Sequence, residues 1–170
     1  MKKIALMLTV IMSLASATIV TAQKTIVDVA VGNEDFSTLV TALTAADLVS
    51  ALQADGPFTV FAPTNDAFAK IDEATLSFLL EEKNKEALAN ILTYHVVSGK
   101  LTLENVAAAL EEGDGSVDLK TLNGQVITVM QKEDKILLKD ANGNFSEIVA
   151  TDVMGSNGVI HVINAVAMPK

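Results

Sequence analysis

His95 and His161 are the only two histidines in this 170-residue chain, and it contains no cysteine. His95 lies beside Ile91, Leu92, Val96 and Val97, and His161 lies among Val159, Ile160, Val162 and Ile163. An imidazole embedded in apolar sequence reads as a hydrogen-bonded core group, and two imidazoles alone leave a zinc ion short of its four ligands. Thiolate ligands and thiol nucleophiles are excluded with cysteine. Asp140-Ala141-Asn142-Gly143-Asn144 imitates the opening of a calcium loop, but Phe145 stands where such a loop needs glycine and Thr151 where it needs a bidentate glutamate. The Asn-Gly pair instead predicts a hairpin turn. Ser156, in Gly155-Ser156-Asn157-Gly158, lacks the flanking pattern and the strand-turn-helix setting of a nucleophile elbow. There is no dinucleotide fingerprint and no phosphate-binding loop. The carboxylates are scattered through turn-like sequence, so no matched acid and base pair stands out. The expectation is a chain that is not an enzyme and holds neither cofactor nor metal.

Charge narrows the partners. The formal net charge is −9 with no arginine, and gripping phosphates requires clustered cations, so nucleic acid is excluded and an anionic membrane surface is disfavoured. The acids around Glu81-Glu82 and Glu111-Glu112-Gly113-Asp114 read as solvated surface.

The first residues follow a different logic. Lys2 and Lys3 precede an apolar stretch from Ile4 to Leu14, followed by the small-residue sites Ala15-Ser16-Ala17 and Val20-Thr21-Ala22. That order is the pattern of a secretory signal peptide, and the apolar core is shorter than the ~20 residues of a spanning helix. The expectation is a signal over residues 1–22, cleavage after Ala22, and one domain over residues 23–170, secreted or periplasmic. No lipoprotein cysteine follows the signal. No later segment is long and apolar enough to span a membrane.

The elements divide along the chain. Phe36, Leu39, Val40 and Leu43 recur at helical spacing, as do Leu88, Ile91, Leu92 and His95. Shorter helices are expected at Leu48 to Leu52, from Asp72 through Leu80, and around Val106 and Leu110 with Thr102 as cap. Phe58 to Ala62 reads as a strand that stops at Pro63, after which Thr64 caps a short helix through Asp66, Ala67 and Phe68. Asn123-Gly124 and Asn142-Gly143, with Glu133-Asp134, divide residues 117–153 into a meander of antiparallel strands. Val159 to Met168 is almost unbroken apolar sequence, as expected of a central strand buried on both faces. Helices towards one terminus and strands towards the other make the class α+β.

Three separated segments, Thr59 to Phe68, Tyr94-His95-Val96 and Ser156 to Pro169, resemble in order and spacing the signature of the fasciclin domain. The resemblance covers nearly everything after residue 24. It implies a β-sandwich wedge of antiparallel strands flanked by several short helices, and a secreted adhesion or interaction module rather than an enzyme. It also implies a role in adhesion for Tyr94 and His95, and for the acidic-aliphatic pair Asp152 and Val153, expected at a strand end. Val153 and the preceding Ala150 and Thr151 depart from the family's longer motif. Read from the residues alone, Tyr94 and His95 are packed groups whose polar tips meet backbone partners. Thr64, Asn65, Asp66 and His161 read as structural. The expected partners are a cell-surface or matrix protein or a glycan. The alternative is a carrier of a small apolar ligand, which would show a contiguous apolar pocket of a few hundred Å³.

Overall fold

The computed structural model describes residues 24–170, so the expected signal peptide lies outside the described residues. Helix α1 (Ile26–Val31) comes first, and its sequence, Ile-Val-Asp-Val-Ala-Val, is rich in residues that favour strands. A capping box overrides that preference. The Asp28 N–H donates to the Thr25 hydroxyl oxygen at 3.2 Å and the Thr25 N–H donates to the Asp28 carboxylate at 2.9 Å. The Thr25 hydroxyl, then its N–H, hold the Asp28 carboxyl below its ordinary pKa.

Helices α2 (Ser37–Ala45) and α3 (Val49–Leu52) precede strand β1 (Phe58–Pro63), and α4 (Asn65–Phe68) follows it directly. Helices α5 (Glu73–Leu80) and α6 (Lys85–Tyr94) lead into β2 (Val96–Ser98), and α7 (Leu103–Glu112) completes the helical half. Three caps fall where the sequence places them. Thr64 accepts from Ala67 N, Asp72 from Thr75 N and Thr102 from Asn105 N.

Strands β3 (Ser116–Lys120), β4 (Val126–Lys132), β5 (Lys135–Lys139) and β6 (Phe145–Gly155) form the expected antiparallel meander, and β7 (Gly158–Ile163) continues it by pairing antiparallel with β6. The seven strands make one sheet in the order β2-β1-β7-β6-β5-β4-β3. Not every pair is antiparallel, because β1 runs parallel to β7 along Phe58↔Gly158 to Pro63↔Ile163. An antiparallel bridge between Val97 and Thr121, with Leu122 N donating to Val96 O at 2.8 Å, brings the two edges of the sheet together.

That curl explains why β7 is buried along its whole length. Val60 and Ala62 of β1 and Ile160 and Val162 of β7 pack with Ile26, Leu39, Leu43 and Leu92 of the helices. Phe61 and Ile163 point the other way, into the curl, against Ile127, Val129 and Leu138 of the meander and Val106 and Leu110 of α7. Alternate residues of one strand thus serve two cores, which requires an unbroken apolar run. The strand stops at Ile163, five residues short of the apolar stretch. Asn164 departs from the sequence pattern by accepting from Glu147 N at 3.0 Å through its side chain, and the chain then leaves the ladder.

Candidate interaction site

Asp152 and Val153 lie inside β6, not at a strand end. The pairing of β6 with β7 slips between Ile148 and Ala150 and again between Ala150 and Val153, so the strand bulges outward there. Asp152 sits in the bulge at φ 56, a left-handed conformation that aspartate tolerates better than most side chains. Its Oδ1 accepts from Leu103 N at 2.9 Å and so satisfies an otherwise open N–H at the start of α7. Val153 pairs with Ile160 and packs its half-buried side chain against the helical core. The solvent side of the same strand carries Phe145 at 54%, Val149 at 54% and Met154 at 50% exposure. A carboxylate flanked along one strand by exposed apolar side chains can make a charge-assisted contact within an apolar interface.

Tyr94 and His95 occupy a different place. Tyr94 is 0% and His95 2% exposed, so neither ring meets solvent. The Tyr94 hydroxyl donates to Val126 O at 2.9 Å, and burial raises its pKa. His95 is held at both nitrogens: Nδ1–H donates to Ile91 O at 2.8 Å, while Nε2 accepts the Ala167 N–H at 3.0 Å. These partners fix the neutral tautomer. Burial pushes the ring's pKa down to about 4, against the opposing pull of the Ile91 bond and the Asp140 carboxylate.

His161 lies inside the curl, stacked on Phe61 with ring centroids 5.7 Å apart. Its Nε2–H donates to Leu101 O at 2.6 Å, and Nδ1 is buried without a protein partner. Among the described residues no group of three or more histidine, aspartate and glutamate side chains is arranged to hold a metal ion.

The other motif residues act as ties. Asn65 accepts from Thr38 N at 3.0 Å and donates to Glu34 O at 2.8 Å, joining α4 to the start of α2, while Asp66 is exposed in the first turn of α4. Asn157, in the turn between β6 and β7, joins three segments. Its Oδ1 accepts from Ile26 N at 3.0 Å and its Nδ2 donates to Leu52 O at 2.7 Å and Ala54 O at 2.9 Å. Gly158 follows because a Cβ there would lie 2.2 Å from Phe58 O. Asp140 was read as turn sequence, and its carboxylate does bind Asn142 N and Asn144 N, at 2.9 and 2.8 Å. It also accepts Met168 N at 3.0 Å, a long-range role that no local pattern signals.

The interior offers little room. The apolar void between Ile26, Leu43, Val60 and Ile160 measures about 10 Å³, as does the one between Phe61, Val106, Ile148 and His161. Hollows of 330 Å³ beside Lys100 and Ser156, and of 460 Å³ between Ala30, Val31, Val40 and Asn33, are open at the surface, the second bordered by apolar as well as polar groups.

Comparison with known proteins agrees with this architecture. The sequence profile of the fasciclin domain matches residues 34–169. The chain is similar to Protein sll1483 of Synechocystis sp., with 50% identity over 145 residues, 85% of this chain and 73% of that one. It is also similar to the transforming growth factor-beta-induced protein ig-h3 of Sus scrofa, at 37% identity over 85% of this chain but only 19% of that protein. Among solved structures, a domain pair from the insect cell adhesion molecule fasciclin I superposes with a TM-score of 0.63 at 16% identity, over 80% of this chain and 46% of that one. At that identity the superposition speaks for the fold.

Proposed function

Because the chain belongs to the fasciclin domain family, we propose that it is an exported, non-enzymatic interaction module that binds a protein or glycan at the cell surface or in the extracellular matrix. The observation that carries this reading is the outer side of β6. Phe145, Val149 and Met154 are each half exposed or more, and the Asp152 bulge lies between the last two. The interior, by contrast, is filled. Voids of about 10 Å³ fall far short of the few hundred Å³ that a small apolar ligand needs, so carriage of such a ligand is the weaker reading. The signal-like residues 1–22 support export, and the solved relative of the same fold is itself a cell adhesion molecule.

In this reading Asp152 contacts the partner together with the exposed Val149 and Met154, and Val153, packed inward, joins Tyr94 and His95 in contributing from beneath by holding the fold. Attachment of source cells to surfaces coated with purified protein tests it. Asp152→Asn keeps an oxygen for the Leu103 N–H and removes only the charge, so the domain stays folded while a charge-assisted contact worth about 1.5–3 kcal/mol is lost. Val153→Ala weakens attachment through lost packing, and Glu82→Gln, a change to an exposed acid, leaves attachment unaltered. Equal attachment by all three proteins at equal thermal stability removes this surface from the account.

A further inference from the structure

Beyond Ile163 the chain leaves the ladder and runs along the end of the sheet, and every hydrogen bond made by residues 167–170 among the described residues ends on a side chain. Ala167 N donates to His95 Nε2 at 3.0 Å and Met168 N to Asp140 Oδ2 at 3.0 Å. Asn142 Nδ2 donates to Met168 O at 3.1 Å and Pro169 O at 3.3 Å, and Lys170 N donates to Gln125 Oε1 at 3.0 Å. Of these contacts only the one between Ala167 and His95 is fully buried; the others stand partly in water, which competes for them. Asn164 stays tied to β6, its N–H donating to Glu147 O at 3.1 Å and its Oδ1 accepting from Glu147 N. We propose that residues 165–170 form a strap with His95 as its latch, and that protonation of His95 releases the strap while the sheet stays folded.

The chemistry is set by the acceptor at Nε2. Adding a proton there removes the lone pair that receives the Ala167 N–H, so two N–H donors face one another in a buried contact. Nδ1 offers no alternative, since it already donates to Ile91 O. The groups facing the ring are the Tyr94 ring from the end of α6, edge-on with centroids 6.4 Å apart and its hydroxyl committed to Val126 O, and the Asp140 carboxylate from the turn after β5. From β1 comes only backbone, with Phe61 N donating to His95 O at 2.9 Å. Asp140 attracts the charged ring, yet its two oxygens already accept from Asn142 N, Asn144 N, Asn144 Nδ2 and Met168 N. Withdrawal of Ala167 is the least costly relief, because it breaks no strand ladder. Burial places the transition at about pH 4. Tyr94 and Ala167 share one apolar cluster, so release of the strap also opens a path from solvent to the Tyr94-His95 pair. The device makes no demand on the adhesion reading and stands or falls apart from it.

Nitrogen-15 spectra of the exported protein, taken from neutral pH down through the titration of His95, test the latch, with amide protection factors measured at each pH. The ring nitrogens should report a neutral Nδ1–H tautomer until the transition. As the ring protonates, Ala167 and Met168 should lose protection at least tenfold, while Ile160 and Val162 of β7 keep theirs. In His95→Gln the side-chain oxygen accepts from Ala167 without titrating, and the step should vanish. Unchanged Ala167 protection after the ring has protonated overturns the proposal, as does loss of Ala167 and Ile160 protection together. A step retained in His95→Gln also overturns it, because the release then does not depend on the imidazole. If that variant does not fold, the ring shifts and the Ala167 amide of the unaltered protein decide the matter in a single sample.

Discussion

The two ends of β7 tie loose chain to the sheet with different chemistry. At the Gly158 end, Asn157 holds the start of α1 and the segment after α3 through a neutral amide that does not titrate. At the Ile163 end the strap is held by Asp140 and by His95, whose Nε2 accepts the Ala167 N–H only while the ring is neutral. One end should therefore keep its grip across the whole pH range in which the protein folds, and the other should not. Of these two ties, then, only the one at the Ile163 end depends on an imidazole staying neutral.

The largest effect should come from Gly158→Ala, which forces a Cβ to within 2.2 Å of the Phe58 backbone oxygen. A loss of about 4 kcal/mol, or failure to fold, is expected in urea titrations. Next comes the pH dependence of the other end. The folded pKa of His95, about 4, lies below the ordinary 6.5, so the folded state binds fewer protons than the unfolded one. Its contribution is complete above the unfolded pKa and is lost as pH falls from there through the folded pKa, in all about 3 kcal/mol. Denaturant midpoints taken across that window measure it, and His95→Gln should flatten this part of the curve. Asn157→Ala should cost about 2 kcal/mol, and by the same amount at either end of the window, because no titrating group is removed. A cost that grows in acid would erase the distinction between the two ends. Asp152→Asn should change stability by less than about 0.5 kcal/mol, since the amide oxygen still caps Leu103.

Where short-range chemistry decides structure, the residues announce it. Thr64, Asp72 and Thr102 cap helices because a short polar side chain precedes an apolar-periodic stretch, and the Asn-Gly pairs mark the turns of the meander. The structural reading of Thr64 follows from the same local logic, whereas Asn65 and His161 bond to Thr38, Glu34 and Leu101, which lie far away in sequence. Other features depend on partners distant in sequence. The parallel pairing of β1 with β7 joins segments about a hundred residues apart, and hydrophobicity does not say which backbone an apolar strand will meet. Helix α1 looks like a strand until Thr25, Asp28 and Asn157 are seen to hold its start. The apolar run to Met168 suggests a longer β7, but the sequence does not show that Asn164 bonds to Glu147 or that Ala167 and Met168 end on His95 and Asp140. Likewise a bulge created by unequal spacing on β6 and β7 puts Asp152 within the strand, where a count along one segment had placed it at the end.

On the function proposed above, the chain works through its outer surface and not through a cargo held in its interior. Native mass spectrometry of the protein purified from its source tests this most directly. The account predicts the mass of the bare polypeptide and, at most, adducts of a macromolecular partner lost on Asp152→Asn. A stoichiometric apolar small molecule, retained through purification and released only on unfolding, would contradict it.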